Sequence, residues 1–317
     1  MQARLIAYPP DSAAIVCRPP ADVALVIGRA ADAGLRLDHS SVSREHAELA
    51  FRDGVWRMRD LGSKNGSFLD GGRITDAALG RECWLRFGDV YCEFAPITDE
   101  QAAAEAAGQA ARRAVVTART ARIERLTRQE GSEGTSAQAL LDDSLRSVLE
   151  LAQCERGFVL LDKGDGLQVR ASRSIDPSQL RASEFAGSVG AVRRALDECR
   201  PVVVNDIGRE SWLSGRDSVV AAGISALACL PLLEGGEAFG AIYADRVRPG
   251  PAITTLDLEL LQAFVEGAAV WIAAQRTSAL LAAQTPRPGR PATDWDGIIA
   301  AHGADAPGTP ASEAGAA

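Results

Sequence analysis

Residues Asp60 to Ser67 read DLGSKNGS, between VWRMR (55–59) and FLDGGRI (68–74). The stretch is short, polar and bent by two glycines, and it carries Lys64, one of only two lysines in the chain (the other is Lys163). Asn65-Gly66 by itself is a good hairpin turn. The preceding run, VWRMR, is a short strand-like one.

The same texture extends through residues 1–98. RLIAY, AIVCR, VALVIG, GLRL, HAELAF, VWRMRD, ECWLRF and VYCEFAP are eight short strand-like runs, separated by Pro-Pro, Asp-Gly, Asn-Gly and Gly-Gly breakers. Many short strands with frequent turns predict an all-β sandwich. In such a fold the loops gather at its ends. VIGR, with Gly28-Arg29, and SVSREH, with Ser43 to His46, sit at strand tips and can meet the 60–67 loop there.

Together these segments offer two guanidiniums (Arg29, Arg44), a hydroxyl (Ser43), an ammonium (Lys64) and a carboxamide (Asn65). All of these side chains can donate hydrogen bonds and none is acidic, which is what a phosphate dianion requires. Taken singly, Arg29 reads as a strand-end charge and His46 as a hydrogen-bonding core residue. The order and spacing of the set carry the stronger reading.

Gly-Arg, then Ser-x-x-His, then DLGSKNGS closely resembles the forkhead-associated (FHA) domain over about residues 1–98. The resemblance implies an eleven-stranded β-sandwich that recognises phosphothreonine in partner proteins. It implies that Arg29 and Ser43 hold the phosphate and that Lys64 sits at the phosphate and methyl pocket. Asn65 would bond the peptide main chain and Arg44 would shape the choice of flanking residues. Gly28, His46 and Gly66 would support the loops. Ser67 stands where the family usually has threonine; both supply a hydroxyl.

The 317-residue chain leaves room for a second domain. Its formal net charge is −8 and no segment is net positive, so a broad footprint for nucleic acid or anionic lipid is missing. No stretch has the length and apolarity of a membrane span, and the first residues lack the pattern of a signal peptide. Six scattered cysteines without a Cys-x-x-Cys pair, and three histidines, make no zinc spacing. We expect reduced thiols in a cytoplasmic protein. Arginine supplies 32 of the 34 basic residues, in keeping with a GC-rich bacterium.

Residues 99–134 are rich in alanine, arginine and glutamate and predict a linker helix, broken by GSEGTS (131–136). Val115, Ala118, Ile123 and Leu126 form a narrow stripe. The stripe suits a solvated linker or, less well, a coiled coil between two copies.

Residues 135–276 alternate helix and strand. SAQALLDDSLRSVLELAQC is helical, and RGFVLLDK and GLQVRASR pair as a hairpin. A helix starts behind Ser188, three strands follow (PVVVND, ALACLPLL, AFGAIYADR), and a long helix with a Thr-x-x-Asp cap closes the segment. The expected class is α+β. The segment is similar to GAF domains, a PAS-like sensor fold, through RPVVVND, SVVAAGISALACLPLL and FGAIYADR. That similarity implies either a small-molecule ligand or dimerisation through terminal helices. The family's cyclic-nucleotide constellation is incomplete here: Asn205 and Asp206 are present and the lysine is missing. Cys154 and Cys229 lie in apolar contexts that suit buried thiols better than chromophore anchors. Trp271 is expected to pack on the sheet or on a second subunit. From about Thr285, five prolines among Gly, Ala and Ser predict a disordered tail, with DWDGIIAAHG as its only apolar patch.

The FHA-then-GAF order resembles the input half of bacterial enhancer-binding activators, but no Gly-x-x-x-x-Gly-Lys-Ser/Thr loop occurs in the chain. No Ser-His-Asp set or metal cluster is visible either.

We therefore expect an FHA domain at 1–98, a linker at 99–134, a GAF domain at 135–276, and a helix end with a tail at 277–317. The function expected is that of a non-catalytic adaptor for threonine-phosphorylated proteins, such as a Ser/Thr kinase or its substrate. No cofactor, metal or nucleic acid is expected, and a homodimer through the GAF and linker helices is. The alternative is a transcription regulator acting through a partner ATPase or DNA-binding chain.

Overall fold

The computed structural model describes residues 2–10, 12–128, 137–162, 166–176, 186–205 and 224–284. Eleven strands occupy residues 2–97: β1 Gln2–Tyr8, β2 Ile15–Cys17, β3 Leu25–Gly28, β4 Leu35–Arg36, β5 Ala47–Arg52, β6 Val55–Asp60, β7 Ser67–Leu69, β8 Gly72–Ile74, β9 Asp76–Leu79, β10 Cys83–Phe87 and β11 Val90–Ile97. They form two sheets, ordered β2-β1-β11-β10-β7-β8 and β4-β3-β5-β6-β9. All pairings are antiparallel except β3 with β4. Alternating residues of the two sheets, among them Leu5, Ile27, Leu49, Trp56, Met58, Leu85, Phe87 and Phe94, close one core.

Three of these strands, β7, β8 and β9, fall where the sequence shows no strand run. Each has only three or four residues, too few for alternation to be visible. They exist because β7 extends the ladder of β10 and β9 that of β6.

Helix α1, Asp99–Arg128, follows. Its buried residues among those described are Ala102 and Val116, whereas Val115 of the expected stripe is 46% exposed and Ala118 is exposed. The helix is held by side-chain charges more than by an apolar face. Glu105 pairs with Arg4 and Arg18, Arg112 with Asp257, and Arg119 with Glu150. The expected break at 131–136 and the expected disordered tail both lie outside the described residues.

The remainder is α2 Ala137–Leu151, β12 Arg156–Asp162, β13 Leu167–Arg173, α3 Ala186–Glu198, β14 Val202–Asn205, β15 Ala226–Glu234, β16 Glu237–Arg246 and α4 Thr255–Gln284. The strands make one antiparallel sheet, β13-β12-β16-β15-β14. Helix α3 begins at Ala186, ahead of the expected Ser188. One face of the sheet packs on α2 and α4 through Leu145, Val148, Leu230, Ile242, Phe264 and Trp271. The other packs on α3, where Phe158 stacks on Tyr243 with centroids 4.9 Å apart. Helix α4 opens on the expected cap: Asp257 N donates to Thr254 Oγ1 at 3.3 Å, and Thr254 N donates to Asp257 Oδ2 at 2.9 Å.

The loop between β1 and β2 reaches this second core. Ala13 is buried within it, Ala14 N donates to Ile253 O at 2.9 Å, and Thr255 N donates to Ala14 O at 2.8 Å. Residues 1–273 thus make one unit; a second starts at Ala274.

Candidate functional site

The 60–67 loop is built around Asp60. Its Oδ1 accepts from Gly62 N and Ser63 N, both at 2.9 Å; its Oδ2 accepts from Ser63 Oγ at 2.6 Å and Ser67 Oγ at 2.7 Å. Ser63 Oγ in turn accepts from Gly66 N at 3.0 Å. Burial alone would raise the Asp60 pKa, but these four bonds outweigh it and hold the carboxyl below its ordinary 3.8. Ser67 is fully buried and serves this turn, not the exposed rim.

A second set of bonds ties this loop to the segment 39–46. Ser43 N donates to His46 Nδ1 at 3.1 Å, which leaves the ring proton on Nε2, donated to Gly66 O at 3.1 Å. The ring is fully buried against the edge of Phe87. Burial outweighs the Gly66 bond and lowers the His46 pKa from 6.5. Gly66 has φ +80°, a backbone conformation that a side chain would strain, and a Cβ there would also push the Arg73 guanidinium aside, its Nε being 2.8 Å away.

Strand β3 brings in Arg29. Its N donates to Ser43 O at 2.9 Å, and Ala30 N donates to Arg44 O at 3.1 Å. That pairing requires glycine one residue earlier, because a Cβ at Gly28 would fall 2.0 Å from Arg44 O. Arg29 Nε donates to Val42 O at 3.3 Å, so the two terminal nitrogens of its fork are not needed for anchoring.

The result is an open cleft of about 670 Å3. Arg29, Ser43, Arg44, Lys64 and Asn65 all line it, so the structure brings together every expected contact residue. Ser43 Oγ accepts from Lys64 N at 3.0 Å, leaving its hydrogen free to be donated. Among the described residues, Arg29, Arg44 and Lys64 make no ion pair with a carboxylate. Asn65 differs from expectation in one respect: its Nδ2 donates to Ser41 O at 2.7 Å and so braces the cleft wall. Ser41 Oγ also accepts from Asp89 N at 2.8 Å.

The cleft has further members that the motif did not single out: Ser40, Ser41, Asp32 and Glu45. The two acids modify the expectation of a purely donating site. Glu45 lies inside SREH itself, and Asp32 three residues after Arg29; neither carries a turn or capping signal.

In the second core the residues considered for a ligand are mostly committed elsewhere. Asn205 is bonded twice to the backbone of Ile253, Nδ2 to O at 3.0 Å and Oδ1 to N at 2.8 Å. Asp206 lies outside the described residues. Burial pushes the thiols of Cys154 and Cys229 up to about 12, so both stay protonated near neutrality. Trp271 is buried in the core formed with the sheet. No described helix is long and apolar enough to cross a membrane.

Comparison with known proteins gives two family matches, FHA domain over residues 25–89 and GAF domain over residues 136–272. The FHA domain-containing protein FhaB of Mycobacterium tuberculosis strain H37Rv is 43% identical over 53 residues, 17% of this chain and 34% of that protein. FhaB of Mycolicibacterium smegmatis is 43% identical over 75 residues, 23% of this chain and 47% of that protein. The chain thus covers between a third and a half of the length of these curated relatives. A solved FHA domain from a study of phosphothreonine-dependent FHA interactions matches 30% of this chain and 98% of its own, at 23% identity and TM-score 0.28. M. tuberculosis EmbR, solved with a low-affinity phosphopeptide, matches 29% of this chain and 25% of its own, at 27% identity and TM-score 0.25.

Proposed function

We propose that this chain, in which an FHA domain is followed by a GAF domain, is a non-catalytic signalling adaptor that docks on threonine-phosphorylated proteins. The carrying observation is the convergence of the Arg29 fork, the Ser43 hydroxyl and the Lys64 ammonium on one open cleft, with no carboxylate paired to either cation among the described residues. A phosphate dianion would accept charge-assisted bonds from all three. Arg44 and Asn65 flank the phosphate and face the peptide, while Gly28, His46 and Gly66 hold the loops in place. A Ser/Thr kinase or its substrate is the proposed source of the phosphothreonine.

For the GAF domain we propose pairing with a second copy through α4. Val270 on that helix is 68% exposed and borders a groove with Leu233 and Pro231. Sedimentation of the intact protein and of Val270→Asp tests this, with a dimer expected for the first and a monomer for the second.

The docking reading is tested by titrating a fluorescent phosphothreonine peptide library against the intact protein, with unphosphorylated peptides as control. A charge-assisted hydrogen bond contributes about 1.5–3 kcal/mol, so Arg29→Ala is expected to weaken binding about tenfold to a hundredfold. Equal affinity for phosphorylated and unphosphorylated peptides would overturn the reading.

A further inference from the structure

The phosphate cleft is not uniformly cationic. Asp32 and Glu45, both exposed, line it together with Arg29, Arg44 and Lys64. Elsewhere in the sandwich, acids within reach of arginine are paired with it: Asp38 with Arg36, Asp70 with Arg81, Asp76 with Arg57, Glu93 with Arg4. In the cleft, no ion pair joins the two acids to the three cations among the described residues, although all five share one cavity. The cations and the acids are therefore held apart by the scaffold. The backbone bonds from Arg29 N to Ser43 O and from Ala30 N to Arg44 O fix the segments that carry four of the five.

Two carboxylates beside a dianion site are unfavourable for phosphate alone. They lower the attraction of the cleft from three positive charges to a net one and repel acidic chains that approach it. That cost is offset if the ligand brings its own cation. We infer that Asp32 and Glu45 select phosphothreonine segments carrying an arginine or lysine close to the phosphorylated residue, and reject those with acidic flanks. This inference rests on the phosphothreonine reading of the site and names its partner class more narrowly. The ligand is a zwitterionic segment: its phosphate meets Arg29, Ser43 and Lys64, and its basic side chain meets the carboxylates. Exposed pairs of this kind change affinity by about two- to fivefold each, and salt screens them.

The test uses three sets of phosphothreonine peptides, identical except for Arg, Ala or Glu placed in turn at each position within four residues of the phosphothreonine. They are titrated by fluorescence anisotropy against the intact protein and against the double variant Asp32→Asn/Glu45→Gln, at low and high salt. At the best position, Arg-flanked peptides should bind at least fivefold more tightly than Glu-flanked ones at low salt, and the gap should narrow at high salt. In the double variant the ranking should vanish, and Ala-flanked peptides should bind more tightly than to the native protein. Equal binding of all three sets, or a ranking that survives in the double variant, overturns the inference while the Ala-flanked peptides still report the phosphothreonine site. Failure of every phosphopeptide to bind overturns both readings. Both substitutions are amide isosteres at exposed positions, and an unchanged melting temperature confirms that the fold is retained.

Discussion

At the scale of single residues, the cleft is shaped by groups that do not line it, Gly28 and His46 among them. Gly28 has no side chain because Arg44 O occupies its place; Gly28→Ala forces β3 away from the 43–46 segment. Overpacking against backbone costs about 1–3 kcal/mol, so a lower melting temperature and loss of phosphopeptide binding are both expected. His46 makes a pH-dependent contribution. Its folded pKa lies below 6.5, so the unfolded chain binds the proton more readily. The contribution is fully present above pH 6.5 and is lost as pH falls towards the folded value. Denaturant unfolding at pH 7.5 and 5.5 should show lower stability at the lower pH, and His46→Gln should shrink that difference.

At the scale of elements, the 60–67 loop is a turn organised by one carboxylate. Asp60→Asn keeps the shape but presents an NH2 group to some of the four donors. Hydrogen bonds to a charged acceptor are worth about 1.5–3 kcal/mol, so a loss of about 2 kcal/mol or more is expected in thermal unfolding. Because the folded pKa of Asp60 is depressed, its contribution is present above about pH 3.8 and disappears as pH falls through the folded value. The variant should therefore show a weaker dependence on pH in that acid range. The loop and the α4 cap were both legible in sequence, since Asp-x-x-Ser and Thr-x-x-Asp are local patterns whose partners lie within a turn. Strands β7 to β9 were not: their pairing depends on β10 and β6, and three residues carry no period.

At the scale of the whole molecule, the decisive contacts join segments far apart in the chain. Ala14 pairs with Ile253 and Thr255, and Arg112 reaches Asp257, whose other oxygen caps α4. The β1–β2 loop, helix α1 and the start of α4 therefore meet at one place, and Asn205 clamps the same Ile253 backbone. Ala14→Pro removes the donor to Ile253 O. In scanning calorimetry the native protein is expected to unfold its sandwich and second sheet in overlapping transitions. Ala14→Pro combined with Arg112→Ala should separate them by several degrees.

The donor residues that line the cleft were readable from the chain alone, because glycine placement, turn formation and donor spacing are properties of short stretches. So was the passage from strands to helix to alternating elements, which follows from local hydrophobic period. The tertiary structure decided three further matters: that Asp32 and Glu45 share the cleft with Arg29, Arg44 and Lys64, that Asn65 braces a wall of it, and that an alanine between two N-terminal strands enters a distant core. Each depends on distances between segments that sequence neighbours do not constrain, where close approach is set by sheet pairing and core packing.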